Sequence, residues 1–299
     1  MSSVSEGRFP DSAVPLLTPG SPPLSGPGPG SGSSRASLLT DDAVRIEAAH
    51  EPRTAADGAA VDSGVADGTA IVIAHGFTGS LDRPALRRAA GVLGRHAAVI
   101  TFSFRGHGGS GGRSTVGDRE VLDLAAAVRW ARVLGYRRVV TVGFSMGGSV
   151  VLRNGALHAA GAGDGGAEGG AAAHADAVVA VSSPARWYYR GTAPMRRLHW
   201  MVTRPTGRLV GRYGFGTRID RDDWNPVPLA PFEAAGLIAP VPLLIVHGDR
   251  DPYFPLDHPR MLAEAAGDGA ELWLEHGMGH AENAADEDLL TRIGGWAVR

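Results

Sequence analysis

Arg138-Val139-Val140-Thr141-Val142-Gly143-Phe144-Ser145-Met146-Gly147-Gly148 is the stretch on which the reading of this 299-residue chain turns. Its first five residues form a short apolar, β-branched run, the mark of a strand covered on both faces. Residues 146–160 read as a helix. A strand that turns at once into a helix needs a sharp turn with small neighbours, and such a turn holds its central residue, here Ser145, in a strained conformation above the sheet edge. The chain has 43 glycines, and its basic residues other than histidine are all arginine, so a glycine pattern alone carries little weight. The position of Gly143 and Gly147, between strand and helix, carries the weight.

The segments on either side continue the rhythm. Short apolar runs at 69–74, 97–102, 177–181, 241–247 and 270–274 read as strands, and 43–48 as a weaker edge strand. Helices are expected at 84–94, 118–134, 257–266 and 285–296. In the second of these, Val121, Leu122, Ala125, Val128, Trp130 and Val133 form an apolar band, leaving Arg119, Glu120, Asp123, Arg129 and Arg132 to water. Alternating strands and helices point to an α/β architecture with a mainly parallel central sheet flanked by helices.

Residues 1–37 are dominated by Ser, Pro and Gly and read as a disordered tail ahead of a domain spanning 38–299. Residues 58–68 read as a connection and 161–173 as a flexible surface insertion. The rhythm stops over 184–240, where short helices at 195–202 and 207–213 flank Pro205.

Lys plus Arg number 29 and Asp plus Glu 31, for a net charge of −2. This balance gives no ground for a nucleic-acid partner without a local basic patch. Cysteine is absent, which removes disulfides and thiolate chemistry. No apolar run of membrane-spanning length and no ordinary secretory signal is found, so the expected compartment is cytoplasmic. Oligomeric state is not legible.

Gly143-Phe144-Ser145-Met146-Gly147 fits the G-x-S-x-G nucleophile elbow. A serine hydroxyl needs an adjacent base, and the base an orienting acid. Two acids, Asp249 and Asp251, follow the strand at 241–247, and two histidines, His276 and His280, follow that at 270–274.

From about residue 69 to the last helix the chain resembles the α/β-hydrolase superfamily, and within it the serine aminopeptidase-like and lysophospholipase-like bacterial hydrolases. The resemblance implies an α/β-hydrolase fold with a small cap insertion at 184–240 and the order Ser, Asp, His. It selects Asp251, at its distance from Gly248, and His280, directly before the final helix. It also implies an oxyanion hole from the backbone N–H groups of Met146 and of Phe77, in His75-Gly76-Phe77-Thr78-Gly79, with His75 shaping that loop. His247 reads as a packing residue. In Phe104-Arg105-Gly106-His107-Gly108, Ser103 stands where the family usually has aspartate, which implies weaker anchoring of that loop. A phosphate-binding glycine loop finds no supporting Lys-Ser/Thr.

The cap region brings Trp187, Tyr188 and further aromatics together with Arg186, Arg190 and further arginines. This pairing suits an acidic or amphiphilic acyl substrate. A solvated basic cap packed on the sheet is the plainer reading, and the segment is too interrupted to read as an amphipathic anchor. No metal site and no cofactor are expected, because serine acyl transfer supplies its own covalent intermediate. The expected activity is hydrolysis of carboxylic esters or related acyl compounds, with thioesterase, lysophospholipase or aminopeptidase-like activity as alternatives. A non-catalytic interaction protein on the same scaffold is the competing class.

Overall fold

The structure is a computed structural model that describes residues 33–54, 68–159 and 173–299. Among these, eight strands form one sheet in the order β1-β2-β4-β3-β5-β6-β7-β8. The strands are β1 (Ser34–Leu39), β2 (Arg45–Glu51), β3 (Thr69–Ala74), β4 (Ala98–Phe102), β5 (Arg138–Phe144), β6 (Ala177–Val181), β7 (Leu243–Gly248) and β8 (Ala270–Glu275). β1 and β2 are antiparallel additions, and every pairing from β4 to β8 is parallel.

The apolar runs do what a doubly covered sheet requires. Val72 packs in a layer with Leu124, Val128 and Val151, while Ile71 and Ile73 pack in the opposite layer with Leu86, Leu290 and Ile293. Alternate residues of one strand therefore serve two cores, which is why the sequence shows a continuous run and no polar alternation. Helices α2 (Glu120–Val133) and α3 (Met146–Leu157) contribute to the first layer. Helices α1 (Pro84–Leu93) and α9 (Glu287–Ala297) contribute to the second.

Topology decides where chemistry can sit. β3 lies between β4 and β5, so the chain leaves the sheet centre in opposite directions after β3 and after β4. A crevice opens at such a switch point, beyond the carboxyl ends of the strands. The loops after β3, β5, β7 and β8 all emerge at that edge, and they carry Phe77, Ser145, Asp251 and His280 respectively.

Several expectations are corrected. Residues 34–37 belong to β1, so the tail expected over 1–37 does not reach that far; residues 1–32 lie outside the described residues, as do 55–67 and 160–172, and with them most of the expected connection and insertion. The expected edge strand becomes β2, one in from the edge, because β1 pairs outside it. A short extra helix, α8 (Ala281–Ala284), precedes the expected final helix, which is α9, its N-cap Asp286 accepting from the Leu289 N–H at 2.9 Å. Val133 is exposed, whereas Glu120 and Asp123, expected to face water, are fully buried. Their partners explain it: Glu120 accepts from Ser114, Thr115 and Gly117, and Asp123 from the Arg105 backbone and guanidinium. A buried carboxylate is tolerated when it is this fully hydrogen-bonded.

The remaining helices are α4 (Ala193–Thr203), α5 (Pro205–Gly214), α6 (Pro231–Ala235) and α7 (Asp257–Ala266). The first two lie in the 184–240 stretch where a cap is expected, and both contribute to the cavity that reaches Ser145. The break between them comes from Pro205, which starts α5 and fixes the preceding Arg204 in an extended conformation.

Candidate active site

Ser145 sits between β5 and α3 with φ +52° and ψ −113°, a region that side chains other than glycine rarely occupy. Its neighbours make the turn possible. A Cβ on Gly143 would lie 2.2 Å from the Gly147 carbonyl oxygen, and one on Gly147 would lie 2.2 Å from that of Ala74. Strand, turn and helix are thus closer than any larger residue permits, and the surrounding packing holds the strain.

The Ser145 hydroxyl donates to His280 Nε2 at 2.9 Å, and His280 Nδ1–H donates to Asp251 Oδ2 at 2.7 Å. The ionised carboxylate can only accept, which sets this tautomer of the imidazole. Asp251 Oδ1 accepts from the backbone N–H groups of Tyr253 at 2.8 Å and Phe254 at 3.1 Å. Burial alone would raise the Asp251 carboxyl, but its hydrogen bond to His280 and the adjoining charge and N–H donors hold it below the ordinary carboxylate range. The imidazole is stacked on the Tyr253 ring, with centroids 4.3 Å apart. Its loop is tied down by the Ala281 N–H, which donates to Ser182 Oγ at 3.0 Å.

The competing acid and histidine are brought together elsewhere. Asp249 accepts from His276 Nδ1 at 2.7 Å and from the Gly277 N–H at 2.7 Å, in an exposed contact. His247 packs as expected: it is buried and donates from Nε2 to the Phe254 carbonyl at 2.8 Å.

Phe77 and Met146 both line a cavity that reaches Ser145. Met146 opens α3, where the unpaired N–H groups of the first turn point outward and carry partial positive charge. The loop holding Phe77 is fixed from both sides. His75 Nδ1–H donates to the Gly76 carbonyl at 2.7 Å while its Nε2 accepts from the Phe104 N–H at 3.0 Å, and His107 Nε2 accepts from the Thr78 N–H at 3.3 Å. Complete burial pushes the His75 imidazole down to about 3, so it is neutral and a structural tie.

Ser103 does not leave its loop loosely held. Its hydroxyl donates to Glu47 Oε1 at 2.6 Å, and the same carboxylate accepts from the Gly109 N–H at 2.9 Å. Glu47 on β2 supplies the negative charge that the resemblance expected at position 103. Arg105 adds a second tie through Asp42 and Asp123, which override burial and hold its guanidinium more firmly protonated than usual.

The cavity measures about 630 Å³. Arg186, Trp187, Tyr188 and Arg190 all line it, though with different freedom. Arg186 is paired with Asp257, and Trp187 donates to the Pro228 carbonyl at 2.9 Å. Tyr188 and Arg190 are exposed. Sequence reasoning missed Glu282, which is buried, lines the cavity and accepts from the Gly76 N–H at 3.2 Å. Only its place two residues beyond His280 marked it. It also missed Asp220, Asp222 and Asp223, which bring carboxylates to the same cavity from the end of the cap. Among the described residues no group of His, Asp or Glu is arranged to hold a metal ion.

Sheet order, turn and site together define an α/β-fold hydrolase. The chain belongs to the alpha/beta hydrolase family, whose model matches residues 71–290. No curated protein matches the sequence. Among solved structures, it is similar to the esterase Pf2001 of Pyrococcus furiosus at 21% identity and a TM-score of 0.63, covering 88% of this chain and 91% of that one. The alpha/beta hydrolase GrgF of a Penicillium species is similar at 16% identity and 0.62, covering 89% and 97%. A lidless α/β serine hydrolase of Xanthomonas campestris is similar at 17% and 0.55, covering 91% and 94%. At such identities the likeness is one of fold.

Proposed function

We propose that this chain is a serine esterase that works through an acyl-enzyme. The observation that carries the reading is the unbroken chain of hydrogen bonds from Ser145 through His280 to Asp251 at the wall of a cavity. His280 Nε2 takes the hydroxyl proton as Oγ attacks the ester carbonyl carbon. The Phe77 and Met146 N–H groups receive the oxyanion. The imidazolium returns its proton to the departing alcohol, and water then attacks the acyl-enzyme by the same proton path, releasing the acid and Ser145. Asp251 keeps its charge throughout and steadies the imidazolium. The partner is a small acyl compound; the esterase among the similar structures favours a carboxylic ester, with thioesters and lysophospholipids within the same chemistry.

A second reading, an aminopeptidase-like hydrolase, draws on Asp220, Asp223 and Glu282, which give the cavity carboxylates able to hold a substrate ammonium. One experiment addresses both. Wild type and Ser145→Ala are treated with a fluorophosphonate, then assayed on short and long esters, acyl thioesters, lysophospholipids and aminoacyl amides. Labelling and ester turnover that vanish in Ser145→Ala support the esterase, and turnover confined to aminoacyl amides moves the assignment to the second reading. Folded wild type that neither labels nor turns over any of them would leave a non-catalytic scaffold.

A further inference from the structure

The cap helix α5 is built inside out. The face it turns to the protein is glycine: a Cβ on Gly207 would lie 2.4 Å from the Trp200 carbonyl oxygen on α4, and one on Gly211 3.0 Å from Ile219. Its apolar side chains point the other way. Leu209 is 55% exposed and Tyr213 77%, with Val210 and Phe215 exposed beside them and Trp200 exposed on α4. Leu209, Val210 and Tyr213 fall within one third of a turn of each other at helical spacing, with Leu209 and Tyr213 across the helix from the glycines and Val210 at the flank. A helix that folds onto its own domain normally buries the arc that this one presents.

Along the stretch that carries this arc the charge is of one sign, the nearest acids being Asp220, Asp222 and Asp223 beyond its end. Between Asp176 and Asp220 the sequence holds eight arginines and no acidic residue, although the chain as a whole carries −2. Arg196, Arg197, Arg204 and Arg212 are exposed, and none of them has an ion-pair partner among the described residues. Arg212 lies over the exposed Tyr213 ring at 5.5 Å, and exposed Arg83 reaches the patch by donating to the Phe215 carbonyl at 3.1 Å.

We infer that the outer face of α4 and α5 docks on an anionic lipid surface. Aliphatic and aromatic side chains enter the headgroup boundary while arginines meet the lipid phosphates, and neither set suffices alone. A second copy of the chain is a poorer occupant, because a two-fold contact would set these arginines against themselves. A polynucleotide would use the arginines and leave Leu209 and Val210 exposed. The other side of α4 supplies Leu198, Met201 and Val202 to the cavity over Ser145, so a docked cap would bring that cavity next to the lipid.

Full-length protein is floated with vesicles of phosphatidylcholine alone and of equal parts phosphatidylcholine and phosphatidylglycerol, at low and high salt. Wild type and Ser145→Ala are expected to bind only the anionic vesicles, so this outcome stands apart from any result on turnover. The pair Arg204→Gln with Arg212→Gln should weaken binding roughly thirtyfold, as the loss of two basic contacts implies. The pair Leu209→Ser with Tyr213→Ser should weaken it with the arginines intact, while fluorophosphonate labelling stays at the wild-type level and certifies the fold. The inference is overturned if wild type fails to bind anionic vesicles, or if either paired variant binds like wild type. It is also overturned if the apolar pair instead abolishes self-association, or if an oligonucleotide is bound in place of vesicles.

Discussion

Among the described residues, two hydrogen-bonded aspartate–histidine pairs have nearly the same credentials. Asp251 with His280 and Asp249 with His276 both close at 2.7 Å, and both join the loop after β7 to the loop after β8. Their surroundings separate them. The side chains of Asp251 and His280 are 0% and 15% exposed, whereas those of Asp249 and His276 are 31% and 89% exposed. The inner imidazole is stacked on Tyr253 and has a hydroxyl on its second nitrogen; the outer one closes a surface turn in which Gly277 N–H is the main reason the Asp249 carboxyl sits low. A carboxylate touching an imidazole is therefore no sign of machinery by itself. What matters is whether the pair is desolvated and held, with a third group at the far nitrogen.

Asp251→Asn should show the difference most strongly. It permits the wrong tautomer while keeping the shape, and ester turnover is expected to fall about 10³- to 10⁴-fold with fluorophosphonate labelling slowed in step. Glu282→Ala should have an intermediate effect. It leaves the Gly76 N–H without its acceptor and loosens the Phe77 donor, so kcat should drop about tenfold, less than deleting an oxyanion donor outright, with KM little changed.

Acid should act on the fold through its buried histidines. His75 is held neutral at about 3 and His258 at about 4, both by burial, against an ordinary value of 6.5. The unfolded chain then takes up more protons than the folded one below 6.5, so stability is lost as pH falls from there toward 3 to 4. Denaturant midpoints measured across that range should decline, and His75→Gln should flatten the decline if it retains the fold. Asp251 adds to the loss only at lower pH, because its folded value lies below the ordinary one. The smallest effects belong to the outer pair: Asp249→Asn and His276→Ala should leave turnover and melting temperature within experimental error of wild type. A large loss from either would reverse the assignment of inner and outer roles.

Much of the architecture was readable before folding, because buried parallel strands leave continuous apolar runs. The runs at 69–74, 177–181 and 270–274 became β3, β6 and β8 with little change at their ends, and 257–266 became α7. The cap was legible as an interruption, not as an arrangement. Which side of α5 faces the protein depends on Gly207 and Gly211 meeting α4 and Ile219, and no apolar pattern announces a helix that packs through its glycines.

Local chemistry therefore came from the linear order of residues: a serine between glycines at a strand-to-helix turn can hardly be anything other than strained, since only a missing Cβ lets those segments approach. Partnership came from the folded chain alone. Glu120 and Asp123 looked water-facing and are buried, Glu47 stands in for an acid missing at Ser103, and Asp251 was distinguished from Asp249 without appeal to resemblance only once space was filled. The reason is common to all of them. A charge is stabilised by donors that arrive from distant parts of the chain, and composition and periodicity hold no record of where those donors end up.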